Sequence, residues 1–493
     1  MKIFSAAFGT HDHNTYDGEW HNQRERYTRK KHNVPKNLDD SAGQQFYKEY
    51  WKPDQYDVFA YTTTLGFTGG VKQIPQLEPL REWMNWSPKT LWDYKRKDSL
   101  YYIDHHQSHA AYAYLLSEFE ESDILAIDGY GFKYNCIFIN KYGKIIDLSK
   151  QMAIGLLWNW FSKFLGFGMG MFGAGKVMGL AAYGEYSDEF HLRLNYYWKN
   201  HQKFKYLEEQ RSSTWLNMMK PEDVAKTLQV ATEEMIRDHV FNLKSCNNLC
   251  VSGGVAYNGY VNEMFTKEWD KVYVPPAPGD EGQAIGTYMH ADYVLNNNLH
   301  RPHVYAGKEY AYHGKEKFDL REVAQAIADG KIVGWFQGKS ESGHRALGNR
   351  SILADPRNPN IKNIINRTIK MREDFRPFAP SVLEKHYQEW FDTSQPSPYM
   401  SRIMPVKKPE QVPGITHVDG TARIQTVNPE QNLRYHQLIT EFYDITGVPM
   451  ILNTSFNCQE PIVETPEEAI NTFEKTAMDV LVINDYILRK GSK

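Results

Sequence analysis

The chain has only four cysteines, almost no net charge and no apolar run long enough to cross a bilayer, and each shortage removes a class of protein. Cys136, Cys246, Cys250 and Cys458 are too few and too scattered for a disulfide framework. Cys246 and Cys250 form a CxxxC with no second pair to complete a zinc site, so buried thiols are the reading. A membrane helix needs roughly 18 to 20 consecutive apolar residues, and no run approaches that. The opening Met1-Lys-Ile-Phe-Ser-Ala-Ala-Phe-Gly lacks the apolar region of a signal peptide and reads as a first buried strand, which predicts a cytoplasmic protein. A formal net charge of −3 argues against a uniformly basic nucleic-acid binder. The charge is uneven, however. Arg24, Arg26, Arg29, Lys30 and Lys31 lie close together, and Trp92-Asp-Tyr-Lys-Arg-Lys and Tyr196 to Tyr206 mix basic with aromatic residues, the combination that grips phosphates and stacks bases. A solvated helix face explains such runs more often than not, but together they keep a polyanionic acceptor in view.

What is present is a length of 493 residues, too long for one ordinary core. A polar, irregular stretch from about 296 to 316 marks the predicted boundary between domains 1–310 and 311–493. Before it come the opening strand, a polar basic segment to about Lys36, Trp- and Tyr-rich helical and loop segments to residue 100, then a helix and several strands. Beyond it, helices and strands alternate as a self-contained mixed α/β unit.

The most informative stretch is Tyr101-Tyr-Ile-Asp-His105-His-Gln-Ser-His109, which opens an apolar helical pattern. Residues at i and i+4 share a helix face, and neutral imidazole is the commonest ligand of functional divalent metals. Asp128 follows at the end of a buried strand, before Gly129, where a carboxylate ligand can stand. Asp280 is a second strand-end acid before a helix and a candidate fourth ligand. The alternatives are a helix-capping His105, a core His109 and Asp280 as an ordinary cap.

Gly168, Gly170 and Gly173 satisfy GxGxxG, and Gly170 with Gly175 and Lys176 nearly satisfies a Walker A loop. Neither reading stands: no βαβ unit surrounds the glycines, and Val177 occupies the place of the Mg²⁺-binding hydroxyl. A backbone open to close ligand approach, with Lys176 beside it, is what remains. Gly253 and Gly254 follow a short buried strand, where a nucleotide can lie against the backbone within reach of Asn258. In the C-terminal unit, Glu341-Ser-Gly-His-Arg345-Ala-Leu-Gly-Asn-Arg350, Lys370-Met-Arg372-Glu-Asp-Phe-Arg376 and Asn453-Thr-Ser455-Phe-Asn457 gather guanidinium, ammonium, hydroxyl and amide groups suited to a dianion.

Taken together with His11-Asp12 and Arg24-Glu-Arg-Tyr-Thr-Arg-Lys-Lys-His, these motifs resemble the O-carbamoyltransferase family over nearly the whole chain. The resemblance implies an N-terminal actin-like (ASKHA) domain and a C-terminal YrdC-like mixed α/β domain. It implies that carbamoyl phosphate is cleaved to carbamate, that ATP adenylates the carbamate, and that carbamoyl adenylate passes to the N-terminal domain for transfer to a hydroxyl. By the same resemblance, Arg345, Arg350, Lys370 and Arg376, with Ser455 and Asn457, bind carbamoyl phosphate, and Arg423 helps hold ATP. His105, His109, Asp128 and Asp280 hold a divalent metal, iron in the family, with Mg²⁺ accompanying ATP. Lys176, Gly253, Gly254 and Asn258 hold carbamoyl adenylate, and Asp12 with His11 serves as general base; Arg345 and Arg350 are also catalytic candidates. The acceptor is either a small sugar or natural product or a hydroxymethylated pyrimidine, free or in DNA. Threonylcarbamoyl transfer to tRNA is a further reading, a non-catalytic nucleotide- and metal-binding module another, and a homodimer is a candidate assembly. The sequence departs from the family at Ala174, Ser342 and His344, where the family often has Glu, Phe and Pro, and in a shortened link between Asp12 and Arg24.

Overall fold

The computed structural model describes residues 1–8, 14–29, 55–63, 83, 86–129, 134–168, 171–199 and 218–490. His11 and Asp12, Gly170, most of the basic segment before Lys36 and most of the second basic-aromatic run lie outside them.

Three sheets organise the chain. The first contains β1 (Ile3–Phe8), β2 (Asn14–Tyr16), β3 (His21–Gln23), β4 (Val58–Thr63), β5 (Lys95–Lys97) and β6 (Leu100–Tyr102), in the order β3-β2-β1-β4-β6-β5. β1, β2 and β3 are antiparallel, whereas β4 and β6 run parallel to β1. The second contains β7 (Asp123–Ile127), β8 (Cys136–Ile139), β9 (Ile145–Asp147), β10 (Asn248–Ser252) and β11 (Lys271–Tyr273), in the order β11-β10-β7-β8-β9. Its first three strands are again antiparallel, and its last two again parallel to the first. One plan is used twice, and this internal duplication is the actin-like architecture.

In the Trp- and Tyr-rich stretch up to residue 100, expected as helix and loop, the described residues include the strands β4 and β5, and β6 begins at its end. β4 reads Val-Phe-Ala-Tyr-Thr-Thr, and its described side chains are buried on both faces between β1 and β6. Such burial erases the apolar–polar alternation that would mark a strand.

Between the two sheets pack helices His105–Leu116 and Gln283–Asn296. They meet closely because Gly286 has no side chain; a Cβ there would lie 2.3 Å from the Ser108 carbonyl oxygen. Ser108 Oγ donates to the Gln283 carbonyl at 2.8 Å and lies 3.0 Å from Thr287 Oγ1, which pins the register of the pair.

The third sheet is eight-stranded and mixed: β12 (Val333–Phe336), β13 (Arg350–Ala354), β14 (Ala379–Leu383), β15 (Arg402–Pro405), β16 (Thr421–Val427), β17 (Met450–Ser455), β18 (Val480–Ile483) and β19 (Tyr486–Arg489), in the order β15-β16-β14-β17-β13-β12-β18-β19. Helices Leu320–Ala328 and Pro429–Thr446 cover it, with Trp335, Leu353, Leu438 and Phe442 in the core. The polar link before it is packed: Val304 and Tyr305 are buried with Leu347 and Ala379, and the Tyr305 hydroxyl donates to the Leu347 carbonyl at 2.7 Å.

Candidate active site

Asp104, with Gln107, forms a capping box at the start of helix His105–Leu116, so Asp104, not His105, is the cap. His105 and His109 follow on one helix face, both 0% exposed. β7 ends at Ile127 and delivers Asp128 beside them; the turn before helix Gln283–Asn296 delivers Asp280. His105 Nε2 lies 3.0 Å from Asp128 Oδ2 and 3.5 Å from Asp280 Oδ1, and His109 Nε2 is 3.3 Å from each. The four donor atoms lie within 4.8 Å of one another. Ligands about 2.0 to 2.2 Å from one ion stand roughly 3 to 3.5 Å apart, so two imidazoles and two carboxylates at this spacing fit a single divalent cation.

Supporting residues hold this geometry. Gln283 Nε2 stands 2.7 Å from His105 Nδ1 and 3.1 Å from His109 Nε2. Asp128 Oδ1 accepts from the amides of Gly129 at 2.6 Å and Gly254 at 3.2 Å. Gly253 makes the second contact attainable: at φ 87 it lets the end of β10 approach β7, where a Cβ would meet the Ile127 oxygen at 2.2 Å. Burial alone would raise the Asp128 carboxyl, but hydrogen bonds from His105 and His109 hold it well below its ordinary range. Burial alone would lower His109; the two aspartates outweigh it and lift the imidazole to about 9. A protonated His109 thus balances charge between the two carboxylates.

A cavity of about 1180 Å³ runs from Asp128 and Asp280 to a second cluster in the C-terminal unit. That far wall carries Arg345, Lys370, Arg372, Arg376 and Arg423, with Ser455 and Asn457 beside them. Lys370 Nζ lies 2.6 Å from Asn457 Oδ1 and 3.1 Å from Ser455 Oγ. Arg345 stacks over the Tyr257 ring at 5.1 Å. The guanidinium groups crowd one another. Burial pushes Arg423 well down, and the charges of Arg345, Arg372 and Arg376 push it the same way; burial and Arg376 bring Arg372 to about 9. Among the described residues, no hydrogen bond joins the Arg345 or Arg423 side chain to a protein acceptor; Arg345 has the Tyr257 ring and the charge of Glu281 nearby, and such an excess of buried cations suits an anion.

Not every expected residue lines this cavity. Arg350 is withdrawn from it: its guanidinium donates to the carbonyls of Gln337 at 2.8 Å, Asn349 at 3.0 Å and Gly338 at 3.0 Å, and stacks on Phe336. It steadies the loop that carries Arg345, and Glu341 does likewise by accepting the amides of Leu347, Asn349 and Arg350. Lys176 lines the cavity, but its ammonium is held by Glu373 at 2.7 Å. Asn258 lines it too, while its side chain caps helix Gly259–Phe265 and pairs with Gln229. Gly254 is in the lining, and Gly253 is not.

The sequence reading placed Arg372 in the anion-binding cluster but gave it no role of its own, and it missed Glu373, Tyr257 and His344. His344 lies 3.5 Å from both Glu25 and Glu281, and Tyr257 hydrogen-bonds Glu281. Those carboxylates hold the imidazole well above its ordinary range against the pull of burial. Arg372 is marked in the sequence by its place between Lys370 and Arg376; the other three have no local signal.

Two family models match the chain: Carbamoyltransferase N-terminus over residues 14–289 and Carbamoyltransferase C-terminus over residues 324–490. The chain belongs to the carbamoyltransferase family. The enzyme is 34% identical to nodulation protein NolO of Bradyrhizobium diazoefficiens over 441 residues, 79% of each chain. It is 36% identical to nodulation protein NolNO of Sinorhizobium fredii over 435 residues, 79% of this chain and 64% of that one. Among solved structures, HypF from T. kodakarensis aligns with 60% of this chain and 48% of its own at 11% identity, with a TM-score of 0.32. On this carbamoyltransferase the histidine–aspartate cluster lies within the N-terminal match and the arginine cluster within the C-terminal one, so the cavity spans both. None of its described helices is long and apolar enough to cross a membrane.

Proposed function

We propose that this carbamoyltransferase works in two stations joined by one cavity, with ATP as co-substrate and a hydroxyl group as acceptor. At the arginine cluster, water cleaves carbamoyl phosphate to carbamate and phosphate. A carbamate oxygen then attacks the α-phosphorus of ATP, giving carbamoyl adenylate and pyrophosphate. At the histidine–aspartate cluster, the acceptor oxygen attacks the carbamoyl carbon, AMP leaves, and the hydroxyl proton passes to a base. The observation that carries this reading is the single cavity of about 1180 Å³ with the unmatched arginines at one end and Asp128 and Asp280 at the other.

Arg345, Arg372 and Arg376 bind phosphoryl oxygens through guanidinium forks, and Lys370, fixed by Ser455 and Asn457, adds a point charge. Arg423 meets the nucleotide's phosphates. Gly254 and Asn258 line the path that carbamoyl adenylate takes. His105, His109, Asp128 and Asp280 hold the divalent metal, for which iron is our reading, and Mg²⁺ travels with ATP. When bound, such an ion supplies Lewis acidity that polarises a carbonyl or phosphoryl oxygen. The general base is Asp12 with His11, beyond the described residues.

Two acceptor classes suit this chemistry: a small hydroxylated sugar or natural product, and a hydroxymethylated pyrimidine, free or in DNA. The exposed Arg96 and Lys97 of β5 give the second its support. Incubation with carbamoyl phosphate, ATP and each acceptor, followed by mass spectrometry, is expected to show one added carbamoyl group and stoichiometric AMP. Carbamoylation that proceeds without ATP would overturn the adenylate route; no carbamoyl gain on any hydroxyl would overturn the reading of the acceptor.

A further inference from the structure

Four described carboxylates line the cavity, Glu25, Asp128, Asp280 and Glu373, and of these Glu373 is carried by the arginine-bearing segment itself. Its segment is built unusually. Asn366–Lys370 form a π-helical turn that ends at Met371 in the left-handed region, φ 45. Backbone of this kind is uncommon and concentrates at functional sites. Lys370, Met371, Arg372 and Glu373 all line the cavity as a result. Just beyond, Phe375 anchors the segment to the N-terminal unit, its ring 6.0 Å from Phe167 and 6.4 Å from Tyr183. Glu373 reaches the same unit: its Oε1 is 2.7 Å from Lys176 Nζ on helix Met171–Leu180, and its Oε2 is 3.7 Å from Arg376. Two cations suited to phosphoryl oxygens therefore share a protein carboxylate, while the neighbouring Arg345 and Arg423 have none in hydrogen-bonding range.

We propose that Glu373 is a positioning residue that holds the place of a phosphoryl group, pairing with Lys176 until a phosphate bound among the arginines takes the lysine over. The exchange makes and breaks only ion pairs. It rests on the reading of the arginine cluster as a phosphate site. Its consequence is that Lys176 is withheld from each phosphate until Glu373 yields, so the product phosphate is retained less tightly than the assembled cations alone would retain it.

Calorimetric titration with inorganic phosphate tests this on the full chain, with melting curves confirming that each variant is folded. Glu373→Gln is expected to bind phosphate about tenfold more tightly, the scale of one close charge pair. In a Lys176→Met background the same change is expected to matter less than about twofold, because the carboxylate then has no lysine to release. Glu373→Asp, which keeps the charge but shortens the arm, is expected to fall between wild type and Glu373→Gln. A tenfold gain that persists in Lys176→Met, or a Glu373→Asp protein indistinguishable from wild type, would show general charge repulsion and overturn the exchange alone. Phosphate affinity unchanged by Arg345→Ala would overturn the phosphate site itself and the exchange with it.

Discussion

The histidine–aspartate cluster and the arginine cluster share a cavity but solve opposite electrostatic problems. The first is balanced within itself: two carboxylates face two imidazoles, and Gln283 and two backbone amides complete the shell. The second is unbalanced: four arginines and a lysine share one wall with Glu373, and burial adds to the repulsion that Arg423 feels from its neighbours. Breaking the balanced cluster is therefore expected to cost stability, whereas thinning the unbalanced one is expected to cost activity and to relieve repulsion. Preorganisation of cations before the anion arrives is what makes an anion site effective, because nothing need be reordered during the reaction.

The largest expected effect is Arg345→Ala, which should lower phosphate release from carbamoyl phosphate by at least about a hundredfold, the scale of losing a key charge-stabilising donor. A malachite-green assay reads it. The same variant should melt no lower than wild type, and a large drop in melting temperature would erase the contrast between the clusters. Next comes Asp128→Asn, expected to cost about 3 to 5 kcal/mol of unfolding free energy in the metal-free protein, since it strands buried imidazoles. Chemical denaturation measures it, and a loss below about 1 kcal/mol would mean that the cluster is not the balanced unit its distances indicate.

Smaller, but of definite sign, is the pH dependence of the balanced cluster. The folded state lifts His109 to about 9, above its ordinary 6.5. Its stabilising contribution is thus complete below about pH 6.5 and is lost as pH rises through 9. Metal-free protein should lose stability over that window, and affinity for a divalent ion should rise over it as the ion displaces the proton. Titration with Co²⁺, followed by its visible absorption at pH 6.5 and pH 9, checks the second part; tighter binding at the lower pH would refute it. The smallest effect is Gly286→Ala. It should cost about 1 to 3 kcal/mol by forcing apart the helices that set the spacing of His105 and Asp280, with Co²⁺ affinity weakening in parallel.

Much of the chemistry was legible in the chain because it is local. His105 and His109 share a helix face by spacing alone, Asp128 ends an apolar strand, and Arg372 sits between two residues already marked. Asp280 was legible only as a strand-end acid, since no periodicity links it to a helix 170 residues earlier. The edge of the fold was less legible. β4 and β6 were hidden because aromatic strands buried on both faces carry no alternation, and β5 because its mostly exposed Lys95-Arg-Lys is a short basic run with no alternation either. Arg350 and Arg345 are alike in sequence, with the same residue type five positions apart. Only the backbone around them turns one guanidinium to carbonyl oxygens and the other to the cavity.

The sequence by itself therefore determined which residue types are available and, by helix spacing and strand ends, where each local group of them stands. Tertiary structure alone decided that the two groups face one space, that Lys176 meets Glu373 across it, and that Arg350 does not enter it. The reason is physical. Periodicity records the face a side chain takes relative to its own element, whereas the partners it meets are set by close approaches such as that of Gly286 to Ser108, between segments far apart in the chain.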